Sequence, residues 1–410
     1  MSLAKKAAPI LATLLIAGFV LGIATAAFTP LIPPKTTTLT ATQTKTVERL
    51  ERLPVTTTLT ETITRQPSLP LKLEVKYSRQ FEVTFLEGYK VVRDAINRTL
   101  ILVPRGAQPP RGMSGEVVYT PVERAVLMSA TQVALVERLR EYAPWIIDRV
   151  SGIMWGQQYE WYFEEIRLRI STGRIKDVGP DYSPSFEELV ALKPDLVIIY
   201  TFPGSDLPQR LEELGIPFVV DNEYLETSPL GRFEWIKLIA TFFDLDEEAY
   251  KIFSDVEAEV GRVAGEVRRS GADAPLVCWF MVYRGTVYAA GGESFPANTL
   301  AMLGARYGFS DVKSTGSVVV NVEEVLSRCR DADVVVYPTS FISNVGDILS
   351  EAPELAEIRA FREGRVYAYA STVFQLGYYD TEGWFRDLAV ILYPGLYPGE
   401  EVRYFVRLGG

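Results

Sequence analysis

Two runs of strand–helix alternation, separated by one long amphipathic segment, constrain the fold of this chain most strongly. The first run contains the short apolar segments Ala125–Met128, Leu196–Tyr200 and Pro217–Val220. The second run begins at Leu276 and includes Val334–Tyr337. Such alternation is typical of parallel, doubly wound sheets with helices on both faces. The sequence therefore predicts an α/β protein with two lobes, each built on a mainly parallel sheet.

The amphipathic segment between the two runs is predicted to be a long helix. Arg232–Phe243 has helical spacing and is interrupted at Asp244–Asp246. From Glu247 to Arg269, apolar residues then recur on one stripe, namely Ile252, Phe253, Val256, Val260, Val263 and Val267. As a helix this second part would be about 35 Å long. Ordinary core packing also produces such stripes, but here the segment is the only covalent bridge between the lobes.

The N-terminus carries a candidate membrane segment. Lys5 and Lys6 precede the apolar run Ala7–Phe28, whose length is close to the ~20 residues that a spanning helix needs. Positive charge before the run places the remainder of the chain outside the cytoplasm. Ala24–Ala26 resembles a signal-peptidase site, so both cleavage and retention stay open, and we expect a retained anchor. No Cys follows the run, which excludes a lipid anchor on a Cys there.

Composition shifts divide the chain into five parts. The segment after the apolar run is rich in Thr and Pro and is expected to be a disordered stalk. Residues 71–105 alternate apolar and polar positions, which predicts two or three strands. The predicted parts are a signal anchor or signal peptide (1–28), a linker (29–70), an N-terminal lobe (71–230), an interlobe helix (231–271) and a C-terminal lobe (272–410).

The composition also limits the chemistry. The net charge is −10, which argues against a nucleic-acid partner. The chain contains no His, so it lacks the usual general base and zinc ligand. We therefore expect no enzyme and no intrinsic metal or cofactor. An exported enzyme built on acids such as Asp380 and Glu382 stays open as an alternative.

Cys278 and Cys329 are the only cysteines in the chain. Two thiols are too few for a thiolate metal cluster. We expect two separate, partly buried thiols, and a single disulfide is the alternative in an oxidising compartment.

The two lobes resemble each other locally. In each, a helix with two adjacent Glu residues leads into a buried strand, from Phe186–Leu189 in one and from Val322–Val325 in the other. Glu187 and Glu323 therefore stand at corresponding points near the starts of corresponding helices. Each is also the type of residue that the helix dipole favours in the first turn.

Several motifs in this order resemble the periplasmic binding proteins of ABC importers for ferric siderophores, haem and vitamin B12. The resemblance covers about residues 71–410. The motifs are Asp177–Gly179 followed by Ser185–Val197, then Pro229–Lys237, Ala290–Phe295, Val322–Val325 and Phe361–Tyr367.

This resemblance implies two Rossmann-like lobes joined by a rigid helix, with little hinge closure and the ligand held between the lobes. It implies an extracytoplasmic substrate-binding subunit, expected as a monomer, whose partners are an ABC permease and its ATPase. It also implies that Glu187 and Glu323 dock onto Arg residues of the permease dimer. Arg–carboxylate pairs are directional enough to fix how the protein is oriented on the permease.

One departure from the family pattern narrows the range of ligands that we expect. Members often carry a His after the first strand of the N-terminal lobe, where this chain has Thr131 and Gln132. Without imidazole, zinc or manganese binding and His ligation of haem are not expected. The expected ligand is a metal that is already chelated, as in a ferric siderophore, a corrinoid or haem.

The loops at strand C-termini supply the candidate ligand contacts, because clefts of open α/β sheets form there. Aromatic rings recur among them and suit a flat chelate. An Arg could pair with an anionic chelate. The predicted ligand-binding residues are Thr131, Gln132, Trp155, Tyr159, Tyr224, Arg232, Tyr283, Phe295 and Tyr379.

Two further alternatives concern binding. The chain could capture Fe(III) directly through Tyr and carboxylate ligands, with Tyr378 or Tyr379 as candidates. It could also be a surface receptor or adhesion module on a stalk.

Overall fold

The computed structural model describes residues 40–45, 59–64 and 71–409. The predicted membrane segment, residues 1–28, lies outside this range. Within it, no helix has both the length and the apolar character needed to cross a membrane. In the Thr- and Pro-rich segment that was expected to lack secondary structure, β1 (Thr40–Lys45) pairs antiparallel with β2 (Leu59–Thr64). The β-branched Thr residues of both segments favour extended backbone.

The first sheet of the N-terminal lobe has five strands, where two or three were expected. Neighbouring strands are antiparallel, except that the last two are parallel. The expectation ended at residue 105, whereas a further strand follows and joins the sheet. The strands are β3 (Leu71–Lys72), β4 (Glu82–Leu86), β5 (Tyr89–Arg93), β6 (Thr99–Pro104) and β7 (Glu116–Thr120).

The second sheet of this lobe is entirely parallel, as predicted. Its strand order is β10-β9-β8-β11-β12, so the order reverses direction between β8 and β11. The strands are β8 (Ala125–Leu127), β9 (Val150–Ile153), β10 (Lys176–Asp177), β11 (Leu196–Ile199) and β12 (Phe218–Val220). The helices between them are α1 (Ala130–Leu139), α2 (Glu164–Ser171), α3 (Phe186–Leu192) and α4 (Leu207–Glu213), with 3₁₀ turns at Pro144–Arg149 and Glu223–Leu225.

The turn between β5 and β6 closes the outer edge of β12. Asp94 accepts a hydrogen bond from the Val220 amide (3.1 Å), and Arg98 donates to the Phe218 carbonyl (2.7 Å). These contacts cover the backbone groups of an edge strand, which would otherwise be open to pairing with other chains. They also join the two sheets of the lobe into one body.

The bridging segment consists of α5 (Pro229–Phe233), α6 (Ile236–Thr241) and α7 (Asp246–Ser270). The predicted long helix is confirmed as α7, and all six residues of its predicted stripe are buried. The helix ends at Gly271, whose φ of 65° gives the left-handed conformation common after helix C-termini. It packs on α6 and on the helix Thr381–Leu392 of the C-terminal lobe. One stiff element thus contacts both lobes.

The C-terminal lobe has one sheet with a parallel core. β15, β13, β17 and β18 run parallel, and β14, β16 and β19 add antiparallel strands. The strands are β13 (Leu276–Tyr283), β14 (Thr286–Ala290), β15 (Arg306–Tyr307), β16 (Ser317–Val320), β17 (Val334–Tyr337), β18 (Val366–Tyr369) and β19 (Phe405–Arg407). The helices are α8 (Phe295–Met302), α9 (Val322–Cys329), α10 (Val345–Glu351), α11 (Arg359–Arg362) and α12 (Thr381–Leu392), with a 3₁₀ turn at Pro353–Glu357 and a π-helical turn at Val373–Gly377.

Cys278 and Cys329 form a disulfide, which corrects the expectation of two separate thiols. Cys278 lies in β13, and Cys329 ends α9, which packs on that strand. The two Cα atoms are 6.1 Å apart. The residue packed against the pair is Gly308, where an added Cβ would stand 2.6 Å from the Cys278 sulfur.

The lobes also touch directly, beside the bridging helix. Gln375, which is fully buried in the π-helical turn, accepts a hydrogen bond from the Tyr162 amide (2.9 Å) and donates to the Glu160 carbonyl (2.7 Å). Nearby, Arg138 of α1 forms an ion pair with Glu382 of α12 (2.7 Å). These contacts hold the two lobes together along one side of the space between them.

Candidate ligand-binding cleft

A cleft of about 270 Å³ separates the two lobes, and both contribute to its walls. On the N-terminal side, the lining residues follow the C-terminal ends of the parallel strands. This is where ligands bind in open α/β sheets, next to the point where strand order reverses. On the C-terminal side, the lining comes from β13, β14, the loop after β17 and the π-helical turn.

Aromatic side chains dominate the lining. They offer large, rigid apolar surfaces at a low cost in conformational entropy. The aromatic residues that line the cleft are Trp155, Tyr159, Tyr200, Phe202, Tyr224, Trp279, Tyr288, Phe295, Phe341, Tyr369, Phe374 and Tyr378. Such walls suit a bulky ligand with flat or apolar faces.

Six of the nine predicted ligand-binding residues line this cleft. They are Thr131, Trp155, Tyr159, Tyr224, Arg232 and Phe295. The expectation that the cleft forms at the loops after strand C-termini thus led to loops that line the cleft. That these side chains contact a ligand stays a prediction.

Gln132 lies beneath the cleft and does not line it. Its side chain is 1% exposed, and its Oε1 accepts a hydrogen bond from the Met128 amide (2.9 Å). It also acts to lower the pKa of the buried Asp221. Because α1 turns this side chain inward, it supports the strand ends from below.

Tyr283 lies beyond the cleft, at the end of β13. The prediction placed the end of this strand at Met281, which would put Tyr283 in a cleft loop. The strand continues through Tyr283, which pairs with Thr286 across a hairpin. Met281, two residues earlier on the same strand face, does line the cleft.

Tyr379 is at the contact between the lobes, outside the cleft. Its hydroxyl donates to Glu141 (2.5 Å), and its ring packs near Phe163 at 5.6 Å between centroids. The preceding residue, Tyr378, lines the cleft instead. Adjacent residues of a helical segment point in different directions, and here only Tyr378 faces the cleft.

Trp155 is held in a fixed position on the N-terminal wall. Its φ of 51° lies in the left-handed region, which is unusual for a large residue and is associated with functional sites. Its amide donates to the Gly179 carbonyl (2.9 Å), and its indole nitrogen donates to Asp181 (3.0 Å). Tyr200 also donates its hydroxyl to Asp181. A carboxylate with two aromatic donors therefore stands in the cleft wall.

Arg232 is committed to protein partners. It donates to the Tyr224 carbonyl (3.0 Å), to the Glu226 carbonyl (3.3 Å) and to the Tyr378 hydroxyl (3.2 Å). Its guanidinium also lies 3.8 Å from the centroid of the Phe295 ring. The prediction that Arg232 pairs with an anionic chelate is untested, and these contacts occupy much of its donor capacity.

Glu223 is a buried acid in the cleft wall. It accepts hydrogen bonds from the Thr131 hydroxyl (2.6 Å) and from the Tyr378 hydroxyl (3.2 Å). Burial raises the pKa of Glu223, and the Arg232 guanidinium acts in the opposite direction. Burial also raises the pKa of the neighbouring Asp221, whose Oδ2 has no hydrogen-bond partner within the described part of the chain.

Three tyrosines of the cleft hold their protons more tightly than a free tyrosine does. Burial raises the pKa of Tyr224 to about 12, and it raises the pKa values of Tyr200 and Tyr378 further. Within residues 71–409, no group of three or more acidic or Cys side chains is arranged to hold a metal ion. The cleft wall offers aromatic rings and hydrogen-bonding groups to a ligand.

Several lining residues were not named from the sequence. Tyr200, Phe202 and Phe341 lie in or beside the loops after the C-termini of β11 and β17. Trp279 and Tyr288 sit within strands, where aromatic residues are usually core. No local pattern distinguishes Asp181 and Glu223 from the other acids, because their role depends on neighbours distant in the chain. The sequence pattern that predicted the most lining residues was the position of loops after the C-termini of parallel strands.

The two predicted docking residues occupy matching exposed positions. Glu187 is the second residue of α3, and Glu323 is the second residue of α9. Each helix is capped by the preceding polar residue, Ser185 or Asn321, whose side chain accepts a hydrogen bond from a backbone amide of the first turn. Contact with a permease stays a prediction.

Comparison with known proteins relates this architecture to a family. A periplasmic binding protein family matches residues 156–373, which is more than half of the chain. An uncharacterized lipoprotein of Methanocaldococcus jannaschii is 32% identical over 327 residues, covering 78% of each protein.

Solved structures share the fold at low sequence identity. A possible iron-binding, periplasmic solute-binding protein of Staphylococcus epidermidis is 18% identical with a TM-score of 0.53, covering 67% of this chain and 100% of that one. A periplasmic heme-binding protein of Pseudomonas aeruginosa has the same identity and TM-score, covering 69% and 97%. The matched family and these structures are binding proteins rather than enzymes, as expected for this chain. The chain belongs to the periplasmic binding protein family.

Proposed function

We propose that this protein is the extracytoplasmic substrate-binding subunit of an ABC importer. It captures a metal chelate in the cleft between its lobes and delivers the chelate to the permease. The observation that carries the proposal is the aromatic-walled cleft between two lobes that α7 bridges. A wall of rings matches the large apolar faces of a ferric siderophore, a corrinoid or haem better than it matches a hydrated ion.

The names of structural relatives support this ligand class. The Staphylococcus epidermidis protein is described as possibly iron-binding, and the Pseudomonas aeruginosa protein as heme-binding. In this chain, a chelated metal would be recognised through its organic shell, because the chain has no His and burial raises the pKa of the cleft residue Tyr224 to about 12.

The remaining parts of the chain fit delivery to a membrane partner. Glu187 and Glu323 are exposed on different lobes and present two carboxylates to a two-fold symmetric permease. The apolar segment Ala7–Phe28 would tether the protein to the outer face of the membrane, and the Thr- and Pro-rich segment would hold the lobes away from it. The lipoprotein name of the Methanocaldococcus jannaschii relative is consistent with tethering.

Native mass spectrometry of the full-length protein in detergent tests the ligand class. The probes are a ferric trihydroxamate, cobalamin and haem. We expect a one-to-one complex with at least one probe, and weaker binding for the variant Trp155→Ala. The matched control is Trp145→Ala, because Trp145 is exposed and outside the cleft. Failure of all three probes to bind would overturn the proposed ligand class.

A further inference from the structure

Asp181 carries a charge that the protein does not neutralise. Its Oδ1 accepts hydrogen bonds from the Trp155 indole (3.0 Å) and from the Tyr182 amide (3.0 Å), and its Oδ2 accepts from the Tyr200 hydroxyl. All three donors are neutral. No Lys or Arg within residues 71–409 forms an ion pair with this carboxylate, and it retains capacity to accept another hydrogen bond.

The cleft offers little positive charge to a ligand. Among the described residues that line it, only Asp181, Glu223 and Arg232 are of ionisable acidic or basic type. The Arg232 guanidinium acts electrostatically on Glu223 and already donates to three protein oxygens. A ligand with several anionic groups would therefore have to leave most of them unpaired in a partly desolvated site, which is costly.

The side chains that donate to the Asp181 carboxylate, Trp155 and Tyr200, pack beside further aromatic rings. The Trp155 ring lies 5.9 Å from the Tyr182 ring, and the Tyr200 ring lies 6.2 Å from the Phe202 ring, between centroids. Rings attract cations through their faces, and a carboxylate among rings adds a direct ion pair. A negative charge set within such rings is therefore suited to a cationic group.

We propose that Asp181, Trp155 and Tyr200 form a cation-recognising subsite, so that the cleft selects chelates that are neutral or positively charged over chelates with several negative charges. This inference rests on the proposed function and deepens it by naming the charge class of the ligand. Asp181 is the specificity-determining residue, and Trp155 and Tyr200 hold it in position. A positively charged group of the chelate, such as a pendant ammonium, pairs with the carboxylate.

Three chelates with the same ferric core test this charge preference. Ferrioxamine B carries a pendant ammonium, its N-acetyl derivative is neutral at that position, and its N-succinyl derivative carries a carboxylate there. Titration calorimetry or quenching of tryptophan fluorescence of the full-length protein gives the three affinities. We expect the cationic chelate to bind about tenfold more tightly than the neutral one, as one charge-assisted contact allows. The succinylated chelate should bind most weakly.

Asp181→Asn separates charge from shape. The amide keeps an oxygen that can accept from Trp155, but it removes the negative charge. We expect the ratio of cationic to neutral affinity to fall to about one in this variant, as no ion pair remains. The neutral chelate should still bind measurably to this variant, so that the ratio of the two affinities can be determined. Asp273→Asn is the matched control, because Asp273 is exposed and does not line the cleft, and it should leave the ratio unchanged.

Several results would overturn the inference. One is an anionic chelate, including haem, that binds as tightly as the cationic one. Another is a charge preference that persists in Asp181→Asn, or a variant that loses the neutral chelate as well, since Asp181 would then act only by positioning the rings. If only anionic chelates bind, the charge inference fails while the proposed function stands. If no chelate of any charge binds, both fail.

Discussion

The Tyr378 hydroxyl of the C-terminal lobe donates a hydrogen bond to Glu223 of the N-terminal lobe over 3.2 Å, at the wall of the cleft. Arg232, from the bridging segment, donates to the same hydroxyl. One tyrosine thus links both lobes and the bridge at the place where the ligand is proposed to bind.

Gln375→Ala should destabilise the protein. The substitution removes two hydrogen bonds between the lobes and leaves the Tyr162 amide without its partner. We expect the free energy of unfolding in urea to fall by about 1–3 kcal/mol. Gln209→Ala is the control, because Gln209 is exposed and bonds only within its own helix. An equal effect of the two substitutions would show that the buried contact contributes nothing.

Removing the disulfide should lower the free energy of unfolding by more than Gln375→Ala does. The cysteines are separated by 51 residues, and the bond restricts the unfolded chain. For Cys278→Ser combined with Cys329→Ser, we expect a loss of about 2–4 kcal/mol in the free energy of unfolding. The oxidised protein unfolded with and without reductant provides the control, and reductant should have no effect on the double variant. A double variant as stable as the oxidised protein would contradict this prediction.

The stability of the protein should fall as pH rises above about 4.5, in part because of Glu223. Burial raises the pKa of this group above its ordinary value of 4.5, so the folded state binds its proton more tightly than the unfolded state does. Stability from this group is greatest below pH 4.5 and is lost as pH rises towards the folded-state pKa. Glu223→Gln should make this decline less steep. The measurement is the free energy of unfolding in urea from pH 4 to pH 8, a range that begins near the ordinary pKa values of carboxylic acids.

The exposed Glu187→Gln provides the control for this measurement and should leave the pH dependence unchanged. A decline that is just as steep in Glu223→Gln would assign the effect to other buried acids, such as Asp221 and Glu226. Burial raises the pKa values of both of those acids as well.

Ferric citrate should give no tyrosinate-to-iron absorption band in the visible region. The cleft tyrosines would have to lose protons to bind iron, and burial raises the pKa of Tyr224 to about 12 and that of Tyr378 further. A band that disappears in Tyr378→Phe would instead support direct Fe(III) capture. Tyr142→Phe serves as the control, because Tyr142 is exposed and outside the cleft.

Charge reversal at the docking positions should uncouple binding from transport. Glu187→Arg and Glu323→Arg would repel the Arg residues expected on the proposed permease, so uptake of the chelate into cells should be lost. Affinity of the purified variants for the chelate should not change, because neither residue lines the cleft. Glu354→Arg, another exposed position, should transport normally. Reduced chelate affinity in either docking variant would refute the assignment.

Local patterns in the sequence determined the architecture. The stripe from Ile252 to Val267 predicted α7, and every residue of it is buried in the structure. Ser185 predicted the start of α3 and caps it. Period and capping depend only on residues a few positions apart, so they can be read without knowing the fold.

Only the tertiary structure decided which side chains face the cleft. Tyr378 lines it and Tyr379 does not, although the two residues are adjacent in the chain. The disulfide required Cys329 to reach Cys278 across 51 residues. Asp181 became a cleft carboxylate through Trp155 and Tyr200, which lie 26 and 19 residues away in the chain. Contacts between distant segments arise from packing of whole elements, and no local period encodes them.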